Sequence, residues 1–224
     1  MEIIAALLAG SFIGAVLGFV GAGGAMLSVP ILIYIFDFTP HQATTAALAV
    51  VFLAALSGAI PKMVSKEILY RDALVISGLG LITNIGFSTI APSFPDQSIT
   101  TGFALVLLIA GASMLKSPFT DTHRTMPVST LIVVSLIIGS MTGIFGIGGG
   151  FLAIPVLVLF FGTPQKVAAG TSLLIISLNS LIALFAHHHT WGEVDWHIPA
   201  IMAISAVLIA SIASHKGRFA SPEL

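Results

Sequence analysis

The stretch Gly-Phe-Val-Gly-Ala-Gly-Gly-Ala-Met-Leu-Ser-Val-Pro at residues 18–30 has a second copy at 143–155, which reads Gly-Ile-Phe-Gly-Ile-Gly-Gly-Gly-Phe-Leu-Ala-Ile-Pro. At a constant offset of 125, residues 14–36 and 139–161 agree at nine positions: Gly14, Gly18, Gly21, Gly23, Gly24, Leu27, Pro30, Leu32 and Phe36. Five of the nine are glycine and one is proline, so backbone conformation is what repeats. A glycine break inside an apolar run, present in both halves of a chain, is the sequence pattern of transporter sites built on interrupted helices.

The rest of the chain supports a membrane setting. Its 224 residues are 57% hydrophobic and 8% charged, with a mean hydropathy of +1.10. A soluble domain carries about 25% charged residues, so an integral membrane protein is expected. The net charge of −1 gives no basis for binding nucleic acid. The absence of cysteine excludes disulfides and thiolate chemistry. Met1-Glu2-Ile3-Ile4 lacks the positive start of a signal peptide, so residues 3–20 are read as a retained span.

Apolar runs fall at 3–20, 25–36, 42–60, 72–91, 98–115, 127–145, 151–161, 167–186 and 197–213. A spanning helix needs roughly 20 residues. Seven runs are expected to cross, and the short ones, 25–36 and 151–161, are not. Each short run follows a glycine stretch and precedes a proline turn, Asp37-Phe38-Thr39-Pro40 or Gly162-Thr163-Pro164-Gln165. Each half therefore reads as span, glycine break, short arm, turn and long arm.

Lys62, Lys66 and Arg71 assign loop 61–71 to the cytoplasm, as Lys116 and Arg124 assign 116–126. Loops 92–97 and 187–196 lack Lys and Arg and are expected outside. This gives an N-terminus outside, a cytoplasmic C-terminus and a multi-pass protein of the cell (inner) membrane. The first repeat then begins outside and the second inside, which makes them inverted. The expected fold is all-α: one membrane domain over 1–224, with repeat one at 1–118 and repeat two at 125–224. Repeat two stops at Ser221-Pro222-Glu223-Leu224, where repeat one continues into its last span, so an equivalent last span is expected to be missing. That would leave an apolar groove for lipid or a partner subunit, and a homo-oligomer is compatible with it.

Gly-x-Gly-Gly-Gly-Phe-Leu-x-x-Pro at 146–155, then a proline turn, then Val167-Ala168-Ala169-Gly170-Thr171-Ser172-Leu173 resembles the sulfite exporter TauE/SafE family of membrane permeases. The first half echoes it with Gly21 to Pro30 and Pro40-His41-Gln42-Ala43, but carries Thr45-Ala46-Ala47-Leu48 in place of Gly-Thr-Ser-Leu. The resemblance implies export of small sulfur-containing anions such as sulfite, sulfoacetate or related sulfonates. It is not specific for one of them.

All eight Lys and Arg are read as lying in or near loops, so no buried cation is expected to hold an anion. The donors left are backbone N–H groups at the two short-arm starts, with the positive end of each helix dipole. The candidate substrate-binding residues are Gly23, Gly24, Ala25 and Ser28, with Thr44 and Thr45, in repeat one. In repeat two they are Gly148, Gly149, Gly150 and Phe151, with Thr171, Ser172 and Asn179. The bland alternatives are close packing for the glycines, and bonds to the preceding turn for the hydroxyls.

His187-His188-His189 with Glu193, Asp195 and His197 has the composition of a metal cluster, but consecutive histidines point in different directions, and no metal site is expected. No cofactor is implied, and without a nucleotide-binding motif primary active transport is disfavoured. The reading is a non-enzymatic transporter of a small anion, working by alternating access, with that anion and the lipid bilayer as partners. A passive anion channel and a membrane-embedded metalloenzyme using His187–His189 are the alternatives.

Overall fold

A computed structural model describes residues 1–90, 101, 105, 108, 128–145, 153–154, 156–158 and 162–216. Among these the ordered elements are helical: α1 (Glu2–Val20), α2 (Gly24–Phe36), α3 (Pro40–Val64), α4 (Tyr70–Ile90), α5 (Val128–Phe145), α6 (Gln165–Ala186), a 3-10 turn His188–Glu193, and α7 (His197–Lys216). Four of these are long and apolar enough to cross a membrane, namely α1, α3, α6 and α7. Helices α4 and α5 are 21 and 18 residues long. Of the expected span 98–115, only positions 101, 105 and 108 are described, and all three are helical. Loops 92–97 and 116–126 and the segment 217–224 lie outside the described residues.

Local chemistry sets the helix ends. Helix α1 stops at Gly21, whose left-handed φ of 78° lets its N–H close onto Leu17 O at 2.8 Å. Helix α3 opens with a capping box between Thr39 and Gln42 and with Pro40 in its first turn, where the missing proline N–H costs nothing. The two hairpin tips are built alike. Asp37 and Gly162 both have positive φ, 55° and 59°. The following N–H then reaches back six residues, Phe38 to Leu32 O and Thr163 to Leu157 O, each at 3.1 Å. Each of these pairs is separated by the same 125 residues as the glycine stretches.

One boundary differs from the sequence reading with consequence. The third run was read as ending at residue 60, with loop 61–71 after it, but α3 continues through Pro61 to Val64. A proline within a helix is tolerated in a membrane bundle when neighbours re-satisfy the freed carbonyls. The carbonyl that Pro61 frees is that of Ser57, and the helix closes four residues later, where Ser65 donates to Pro61 O at 2.9 Å. The loop shrinks to 65–69, and Lys62 becomes a helix residue.

Small residues bring the helices together, as expected where lipid tails are as apolar as leucine. Gly10, Gly14 and Gly18 of α1 lie against Met202, Ala206 and Ala210 of α7, so the two helices run in parallel. Gly80 of α4 meets Gly139 of α5 in a second close crossing. Between these pairs α3 and α6 pack antiparallel, with Gly58 beside Leu173 and Lys62 beside Gly170. Helix α6 is the most buried of the four candidate spans, without interruption from Ala168 to Ser177. The outer faces carry exposed apolar side chains, such as Ile204, Leu208 and Ile212 on α7, that suit a lipid boundary.

Candidate functional site

Polar groups cluster at three heights along α6. At its start, the glycine break of repeat one stands against Ala169. Gly21 packs on that residue so closely that an added Cβ would fall 2.6 Å from the Ala169 Cβ. Gly23, with φ 89°, is the N-cap of α2 and has no side chain to satisfy the first N–H groups of that helix. Gly24 is needed for packing, because a Cβ there would enter the Leu17 side chain. Ala25 is the second residue of α2. Ser28, fully buried, donates to Gly24 O at 2.7 Å.

The next residues of α6 hold the loop that follows α3. Gly170 lies under Glu67 O and the Lys62 Cβ, leaving no room for a side chain. Thr171, fully buried, donates to Val167 O at 2.7 Å and accepts from the Leu69 N–H at 3.0 Å. Ser172 is fully buried and has a partner. At the same level lies the feature that the sequence reading excluded. Lys62 is buried and its Nζ is 2.7 Å from Glu67 Oε2. It was missed because the apolar run was read as ending at residue 60, which placed Lys62 in loop 61–71.

Two turns farther along, Asn179 is buried and its Oδ1 has no hydrogen-bond partner. The Oγ atoms of Ser180 and Ser77 are buried and unpartnered as well. Ser77 of α4 and Asn179 each lie eight residues beyond the Leu69–Thr171 bond, about 12 Å up their helices. Orphaned buried polar atoms are costly in protein and rare, which marks this level as one where a solute or water is wanted. Ser77 and Ser180 had no sequence signal beyond being hydroxyls in apolar runs.

At the far end of α6, Thr45 Oγ1 donates to His41 O at 3.0 Å and lies 3.2 Å from His187 Nδ1 and 2.7 Å from Thr190 Oγ1. Thr190 in turn donates to His187 O, and Gln42 Nε2 donates to Glu193 O at 2.8 Å. Thr44 donates to Pro40 O at 2.8 Å. Burial, and secondarily the neighbouring His41, push the His187 imidazole below its ordinary value of 6.5. The His188 and His189 ring centroids lie 3.6 Å apart with the rings tilted by 42°, and among the described residues no three His, Asp or Glu are grouped to hold a metal.

The predicted residues therefore separate into groups. Gly23, Gly24, Ala25 and Ser28 share the start of α2, and its neighbour Gly21 brings them to the first turns of α6, where Thr171 and Ser172 lie. Asn179 is higher on the same helix. Thr44 and Thr45 are at the opposite end, beside the 3-10 turn. Of the hydroxyls, Ser28, Thr44, Thr45 and Thr171 all donate to the carbonyl four residues back. Gly148, Gly149, Gly150 and Phe151 lie outside the described residues.

Comparison with known proteins finds membrane transporters. A probable membrane transporter protein of Xylella fastidiosa is 30% identical over 207 residues, covering 88% of this chain and 78% of its own length. The probable membrane transporter protein YunE of Bacillus subtilis is 28% identical, with 88% and 81% covered. A probable membrane transporter protein of Methanocaldococcus jannaschii is also 28% identical, with 97% and 87% covered. No solved structure matches. The model of the sulfite exporter TauE/SafE family matches residues 6–224, and the chain belongs to that family of membrane transporters.

Proposed function

We propose that the protein carries a small sulfur-containing anion, sulfite or an organosulfonate such as sulfoacetate, across the cell membrane by alternating access between two inverted repeats. The family description supports that substrate class. The observation that carries the mechanism is the contact of Gly21 with Ala169, which sets the helix break of one repeat on the long arm of the other. A helix that starts there directs its free N–H groups and the positive end of its dipole into the boundary between the repeats.

The inversion has its own support. Helices α3 and α6 are equivalent under the 125-residue offset, and they pack antiparallel. Equivalent arms that cross antiparallel are related by an axis in the membrane plane, the arrangement of inverted-repeat carriers. The flanking pairs follow the same exchange. Helix α1, the first of repeat one, pairs with α7, the last described of repeat two. Helix α5, the first of repeat two, pairs with α4, which matches α7 by position.

In this reading the anion meets α2 N–H groups near Gly23, Gly24 and Ala25, and their counterparts at 148–150 and Phe151, and passes Ser172 and Asn179. Thr44 and Thr45 bound the path at its other end. The test is flux into proteoliposomes with sulfite, sulfate, methanesulfonate, sulfoacetate and acetate. Saturable sulfite flux, competed by sulfonates and not by acetate, is expected. Absence of saturable flux for every anion would refute the proposal.

A further inference from the structure

We propose that Lys62 is an anion-binding residue of the transport path, with Glu67 as a built-in carboxylate that holds its place until the substrate sulfite or sulfonate displaces it. The inference rests on the anion-carrier reading above and adds a cation to a site otherwise made of backbone dipoles and neutral side chains.

Four observations meet at one level of α6. The Lys62 side chain is 6% exposed, and that of Glu67 is 19% exposed. An ammonium carries three donors, and among the described residues Lys62 uses one of them, on Glu67 Oε2 at 2.7 Å. A buried ion pair is no more stable than apolar residues of the same volume, so packing alone gives no reason for this one. The neighbours Ala169 and Gly170 bear, respectively, the glycine break of repeat one and the Lys62 stem.

The geometry also says which partner can leave. The backbone of loop 65–69 is held independently of the ion pair: Glu67 N–H bonds Lys62 O at 2.9 Å and Leu69 N–H bonds Thr171 Oγ1 at 3.0 Å. Releasing Lys62 therefore needs only rotation of the Glu67 side chain, the more exposed of the two, towards water. A sulfite or sulfonate oxygen then accepts the same charge-assisted hydrogen bond, and its further oxygens meet the two idle donors. The exchange leaves the charge beside Lys62 balanced in both states, which keeps the buried ammonium from standing alone.

The test measures KM for sulfite in proteoliposomes for the native chain, Lys62→Gln, Lys62→Arg and Glu67→Gln, with a thermal melt of each purified protein. Glu67→Gln removes the competitor and is expected to lower KM severalfold. Lys62→Gln is expected to raise it about tenfold or more, the worth of a charge-assisted bond, and Lys62→Arg to recover most of that loss. A structural ion pair would instead make both neutral variants worse. If Lys62→Gln does not fold, Glu67→Gln decides alone: a lower KM supports the exchange, and an unchanged or higher one overturns it. Saturable native flux with KM insensitive to both changes overturns the role of Lys62 and leaves the carrier intact. No saturable native flux removes the carrier reading and this proposal together.

Discussion

Thr171, singled out in the sequence as a candidate ligand, is tied into the scaffold of the site by two hydrogen bonds. Its proton goes to Val167 O, and its oxygen accepts the Leu69 N–H, which ties loop 65–69 to α6. Thr171→Val keeps the shape and strands that buried N–H. A loss of about 1–3 kcal/mol in unfolding free energy is expected, read as a lower melting temperature in detergent, with Thr171→Ser close to native. His187 gives a pH dependence with a definite sign. Its imidazole is held below 6.5 by burial and by His41, so the folded chain favours the neutral ring. Between 6.5 and the lower folded value the unfolded chain binds the extra proton, so stability is full above 6.5 and falls as the pH drops. Other groups face the same region: His41 on α3 and His188, His189, Glu193, Asp195 and His197 on and after the 3-10 turn. Comparing melting curves from pH 7.5 to 5 for the native chain and His187→Gln isolates the one ring. The variant is expected to lose less stability on acidification. Equal losses would assign the effect to the neighbours.

Helix contacts were legible where they depended on glycine and hidden where they depended on side-chain burial. Gly14 and Gly18 stood out as repeated glycines, and both prove to be points of close approach, against Ala206 and Ala210. A methyl group at Gly14 would run into the Ala206 carbonyl, whereas one at Gly78 would meet nothing within 4 Å. Gly14→Ala is therefore expected to lower the melting temperature by pushing α1 from α7. Gly78→Ala should leave it unchanged or raise it, by up to about 1 kcal/mol of helix propensity. Equal effects of the two would contradict the packing of α1 on α7. Among the described helices, the starts and ends of the apolar runs matched to within a few residues, because glycine and proline punctuate the chain so clearly. The exception was the third run, read as ending at residue 60, because the helix passes through Pro61 and ends at Val64. That one boundary concealed Lys62. Asn179 and the hydroxyls were visible as residues, but which of them lack partners depends on neighbours that only the packed bundle defines.

At the scale of the whole molecule, the doubled glycine stretch forecast a repeat, and the hairpin tips repeat down to their hydrogen bonds. The direction of each repeat came from the distribution of Lys and Arg, and it can be tested directly. Cysteines placed singly at Glu2 and His189 should react with a thiol reagent confined outside intact cells, and cysteines at Lys66 and Lys216 should not. All four positions are exposed. The reverse pattern would turn the molecule over, and a mixed pattern would break the inverted arrangement. The parallel course of α1 and α7 requires in either case that positions 2 and 216 label from opposite sides. Alternating access has a kinetic signature that topology lacks, because a carrier loaded on the far side returns faster than an empty one. Counterflow of radiolabelled sulfite in proteoliposomes measures it. Unlabelled sulfite inside should accelerate entry of labelled sulfite and cause a transient accumulation above equilibrium. Labelled entry that is unaffected by internal sulfite and rises linearly with its concentration would contradict a carrier built on paired helix breaks.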